Sequence, residues 1–164
     1  MINKRIEKLL VLKGKSNSGK TTTMRSFAKL ILKSPGTIKI KLSRADAFSR
    51  EGADFILVVD YCGIRTILVS AGDDKRRWGC VFKMFEKYEC KVGVIVVSEP
   101  KKNGCSKDIY DYYKKIKTEI AVDIIEVSKK RKDVAVKAEI ATMVNDSVKE
   151  LKKALDEIVE SLQK

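Results

Sequence analysis

The chain has 164 residues, 44% of them hydrophobic, which is enough for one domain (1–164) with a real core. It carries a net charge of +13 and no histidine. That excludes Ser-His and Cys-His nucleophile pairs, and no C-x-x-C spacing among Cys62, Cys80, Cys90 and Cys105 points to zinc. The cysteines read as reduced, mostly buried thiols. No run of about 18 apolar residues occurs and the N-terminal segment lacks a signal-peptide core, so a cytoplasmic location without membrane contact is expected.

In chain order, the apolar run within Lys8–Lys13 predicts a buried strand and Lys20–Lys33 a helix, which Ser34-Pro35-Gly36 stops. Thr37–Leu42 (TIKIKL) alternates and predicts a half-buried strand, followed by a polar loop at 43–53. Phe55–Asp60 and Ile64–Ser70 are separated only by Tyr61-Cys62-Gly63. No crossover helix fits in that gap, so the two strands form an antiparallel hairpin. A helix over 75–89 puts Trp78, Val81, Phe82 and Phe85 on one side. Val92–Val97 is a continuous apolar run, as a central parallel strand requires.

A loop (98–106), a helix (107–120), a last strand (122–127) and a basic connector (128–136) follow. The final helix, about 138–163, places Ile140, Val144, Val148, Leu151, Leu155, Ile158 and Leu162 at intervals of three and four. It is expected to lie on the sheet; a dimer through it is the second reading. Strands alternating with helices predict a three-layer α/β sandwich, its sheet mostly parallel with one antiparallel hairpin strand.

Between the first strand and first helix lies GKSNSGKT, residues 14–21. Gly14 permits a sharp turn off the strand, and Gly19 lets the backbone come close to a ligand. The amides of Lys15, Ser16, Asn17, Ser18, Gly19, Lys20 and Thr21 can converge on phosphate oxygens, with the positive end of the helix dipole behind them. The segment resembles the Walker A motif of P-loop NTPases, and the strand before it and helix after it are that motif's context. The resemblance implies that Lys20 bridges the β- and γ-phosphates, that Thr21 holds Mg²⁺ and that Thr22 reaches the α-phosphate. ATP and Mg²⁺ are the implied ligands.

An acid near the metal is expected. Asp60 ends FILVVD, but the hairpin puts the C-terminal end of the strand 64–70, not of 55–60, on the side of residues 14–21, where open α/β sheets bind ligands. Asp73 is therefore the expected metal-site and catalytic acid beside Lys20, with Asp74 second. The order of elements is also similar to that of P-loop GTPases. Ser70-Ala71-Gly72-Asp73 stands at their Asp-x-x-Gly position, and Glu126-Val127-Ser128-Lys129 is similar to the loop after their last strand. Ser98-Glu99-Pro100-Lys101 replaces the guanine-reading Asn-Lys-x-Asp, so adenine is the expected base.

Small kinases are the other comparison. Arg44, Asp46, Arg50 and Glu51 would sit in a short acceptor loop, and Arg76 and Arg77 near a phosphate. The chain most resembles compact ATPases of the kinase–GTPase type. The expectation is a Mg-ATP-dependent protein that hydrolyses or transfers the γ-phosphate. A small kinase and a nucleotide-dependent switch for a protein or nucleic acid are the alternatives. Residues 137–164 hold five Lys and six Asp or Glu, so the first 136 residues carry +14. That charge fits a nucleic-acid partner or a lysine-rich surface that attracts polyphosphate.

Overall fold

The computed structural model describes residues 7–14, 20–43, 54–70, 83–84, 87–98, 121–127 and 137–163. Six strands are seen: β1 (Lys8–Gly14), β2 (Thr37–Leu42), β3 (Ile56–Tyr61), β4 (Ile64–Val69), β5 (Val92–Ser98) and β6 (Ala121–Val127). Two helices accompany them, α1 (Lys20–Lys33) and α2 (Lys137–Gln163). The strands form one sheet in the order β2-β3-β4-β5-β1-β6.

The hairpin follows from its turn. Cys62 (φ 50°) and Gly63 (φ 84°) both adopt left-handed backbone, as a two-residue turn matched to strand twist requires. Ile56 then pairs with Val69 and Tyr61 with Ile64, antiparallel throughout. The open end is closed by two serines. The Ser70 hydroxyl accepts from the Phe55 amide at 2.8 Å, and the Ser43 hydroxyl accepts from the Ile56 amide at 2.9 Å.

Helix α1 buries Met24, Phe27, Ala28 and Ile31 along one stripe. It ends where the Ser34 hydroxyl donates to the Leu30 carbonyl, and Gly36 then hands its carbonyl to the Cys62 amide. Helix α2 supplies Leu151, Leu155, Ile158 and Val159 to the same core. The sheet contributes Leu10, Leu12, Leu57, Val59, Leu68, Val92 and Val94, which share one face through the strand registers. Tyr61 donates its hydroxyl proton to Asp156, Lys152 donates to the same carboxylate at 2.6 Å, and Gln163 donates to the Cys62 carbonyl. The C-terminal half of α2 is thereby pinned to the hairpin turn.

The expected three-layer, mostly parallel sandwich is corrected. β3 runs against both neighbours, so two of the five adjacent strand pairs are antiparallel and the sheet is mixed. The two described helices pack against each other on one face, so the described residues form two layers. Ile56, Val58, Ile67 and Val69 on the other face are buried, with no described helix over them. The expectation failed because helical spacing marks which stripe of a helix is apolar, but not which face of a sheet receives it. The helices expected at 75–89 and 107–120 lie largely or wholly outside the described residues. Of the first, Tyr88 donates to the Met84 carbonyl at 3.0 Å, an i to i−4 bond.

Candidate functional site

Strand β1 ends at Gly14 and helix α1 starts at Lys20, so GKSNSGKT bridges the two. Gly14 is level with Ser98 of β5 on one side and Val127 of β6 on the other. Three parallel strands therefore finish together at one edge, and α1 begins beside them. From β1 the chain goes on to β2 at the far edge of the sheet. From β5 it goes to β6, on the other side of β1. Adjacent strands whose onward connections leave in opposite directions open a crevice at their C-terminal ends, the usual ligand position in such sheets. The first turn of α1 carries no acidic residue, so nothing there opposes an anion at the positive helix end.

Gly14, Lys20, Thr21 and Thr22 lie within described elements, whereas Lys15, Ser16, Asn17, Ser18 and Gly19 lie outside the described residues, as do Asp73 and Asp74. Arg44, Asp46, Arg50, Glu51, Arg76, Arg77 and the loops at 99–101 and 128–129 also lie outside them. Strand β4 does run parallel to β1, and Asp60 sits at the opposite end of the sheet. Asp60 is held there by Arg65, whose Nε and Nη2 reach its two carboxylate oxygens at 2.5 and 3.2 Å. The length of β1 alone separates the level of Asp60 from Gly14 by about 20 Å. Asp60 is thus a strand residue next to the hairpin turn, paired with Arg65, and no metal ligand for the loop.

The layout differs from the expectation in one respect. β5 lies between β4 and β1, so the strand leading to Asp73 is not β1's neighbour but stands two strand spacings away, about 10 Å. The chain leaves β4 after Val69, at the level of Ile95 and Val11, three residues short of the edge formed by Gly14 and Ser98.

Ser70, at the Asp-x-x-Gly position, is buried and does structural work. Besides receiving the Phe55 amide, its hydroxyl lies 3.3 Å from Asp54 Oδ1 and from the Phe55 carbonyl. Asp54 follows the polar loop 43–53 and has no local signature in the sequence; it is a carboxylate at the same edge as Gly14, three strand positions away.

On α1, Arg25 buries its Nε and Nη2 atoms with no hydrogen-bond partner among the described residues. No pattern in the sequence singles it out. Of the cysteines, Cys90 is buried and Cys62 is exposed, and both are free thiols; Cys80 and Cys105 lie outside the described residues. Burial pushes the Cys90 thiol up to about 12, so it stays protonated and inert at neutral pH.

Among the described residues no three His, Cys, Asp or Glu side chains cluster to hold a metal, and no helix is long and apolar enough to cross a membrane. A Mg²⁺ ion held by one hydroxyl and nucleotide oxygens needs no such cluster. No protein-family model, curated protein or solved structure matches the chain.

Proposed function

We propose that residues 14–21 bind the phosphates of Mg-ATP and that the chain hydrolyses the nucleotide or transfers its γ-phosphate. One observation carries this reading: GKSNSGKT occupies the interval between the last residue of a central parallel strand and the first residue of a 14-residue helix. A phosphate-cradling loop of this pattern works only in that context. Lys20 would supply a point charge to the β- and γ-phosphates, and the amides of 15–21 would orient them. Thr21 would hold Mg²⁺, with Asp73 as the acid on the metal or its water; the ion's part is to neutralise charge on the transferring group. Arg25, a cation with buried and unpartnered donors on the same helix, fits an anionic ligand nearby.

With Ser98-Glu99-Pro100-Lys101 after β5, no carboxylate is placed by motif to accept hydrogen bonds from guanine, so ATP is expected to bind at least as well as GTP. A thermal shift series tests the reading. A ligand at 100 times its dissociation constant stabilises by about 2.7 kcal/mol, and each kcal/mol moves a domain of this size by roughly 2–4 °C. Mg-ATP should raise the melting temperature by several degrees and AMP should not. Equal shifts with AMP and ATP would show that the phosphates are not what the protein grips.

A further inference from the structure

The apolar stripe of α2 is spent on the core, with Leu151, Leu155 and Ile158 buried against the sheet. Any partner must therefore use another face. Beside α1, Leu30 lines a groove of about 400 Å³ together with Lys149, Lys152, Lys153, Asp156, Glu157 and Glu160 of α2. Leu30 is 40% exposed, one of two large hydrophobic residues left open among the described residues.

The charges of this groove do not suit an isolated helix. The carboxylates lie toward the C-terminal end, where the dipole is negative, and the last turn holds no basic residue. Lys153 precedes Glu157, the weaker order for an i,i+4 pair. The same charges are antisymmetric about the point between Ala154 and Leu155. Lys149 is the mirror position of Glu160, Lys152 of Glu157, and Lys153 of Asp156. Two such helices laid antiparallel about a two-fold axis at that point set every one of these lysines opposite a carboxylate.

We infer that this groove is the contact surface for a second copy of the chain, with the two α2 helices antiparallel and crossing midway between Lys153 and Asp156. Each lysine then faces a carboxylate of the other copy. A parallel arrangement, with like positions side by side, would instead set lysine against lysine. Leu30, exposed at the margin of the groove, is covered by the second copy. Such an interface is isologous, each copy offering the same patch. Lys152 already bonds Asp156 within the chain, so that pair joins a network across the axis and its geometry is preset. The surface lies beside the C-terminal half of α1, away from Gly14, so its test is independent of nucleotide binding.

Sedimentation velocity at low ionic strength and about 0.1 mM protein tests the inference. The full chain should sediment as a dimer and dissociate as salt is raised, since exposed pairs are screened. Lys149→Glu and Glu160→Lys each set two like charges across the axis and should weaken self-association at least about tenfold. Mixed one to one, the two variants restore every opposite-charge match and should form a heterodimer. A single chain carrying both changes should dimerise as the original does. Circular dichroism checks that each variant stays folded. A chain that remains monomeric throughout overturns the proposal and leaves the groove to a partner of different sequence. So does a mixture that fails to associate, or single variants that dimerise unchanged.

Discussion

Cys62 occupies left-handed backbone that a side chain resists, at a cost of about 1 kcal/mol for most residues and less for Asn. Cys62→Asn is therefore expected to stabilise the fold by several tenths to about 1 kcal/mol in a denaturant titration; a loss of stability would show that the turn relies on the thiol. Cys90 lies in the core, and its thiol is raised from 9.0 to about 12 by burial. The folded chain holds that proton more tightly than the unfolded one, so stability is intact below pH 9 and falls as pH climbs from 9 toward 12. Unfolding midpoints measured across that window should drop, and Cys90→Ala should flatten the drop even though it lowers stability at pH 7. The proposed function gives Asp60 and Asp73 different roles. Asp60→Asn breaks a half-exposed pair with Arg65 and should cost about 1 kcal/mol or less while turnover stays unchanged. Asp73→Asn should depress Mg²⁺-dependent turnover by a large factor at saturating nucleotide. The reverse pattern, with Asp60→Asn inactive and Asp73→Asn active, would contradict the strand directions observed.

At the scale of elements, α2 shows what periodicity conveys. Its stripe at Val144, Leu151, Leu155 and Ile158 was readable because a helix must bury one face, and those residues are buried. Leu155→Ala should cost about 2–5 kcal/mol in equilibrium unfolding, the range for a buried leucine in contact with sheet and helix. A loss below 1 kcal/mol would mean that α2 is not docked on the sheet. The hairpin was readable for a different reason: three residues leave the chain no route other than reversal. β2 was only half readable. Alternation in TIKIKL identified a strand and implied that its apolar residues face a core, yet Ile38 is 63% exposed. β2 is an edge strand whose register with β3 shifts between Lys39 and Lys41, and neither its partner nor that irregularity has a local signature.

For the molecule as a whole, strand order is what local pattern could not supply. Short gaps give direction, but the insertion of β5 between β4 and β1 depends on pairings such as Thr66 with Val92 and Lys8 with Val92, far apart in the chain. The same limit explains why the three-layer sandwich was expected and, among the described residues, a mixed sheet with two helices on one face is seen. The loop at 14–21 stands out in the sequence because its signature is local: two glycines, a lysine and a threonine between a strand and a helix. The acid that would complete it is not local, and sequence alone selected it by direction rather than by distance. The central claim, that residues 14–21 hold the phosphates of Mg-ATP, is tested most directly by equilibrium titration of Mg-ATP into the native chain and into Lys20→Ala. The native chain should bind, and the folded variant should lose at least about tenfold in affinity, or 1.4 kcal/mol. Equal affinity in the two proteins, or no binding to either, would contradict the assignment of this loop.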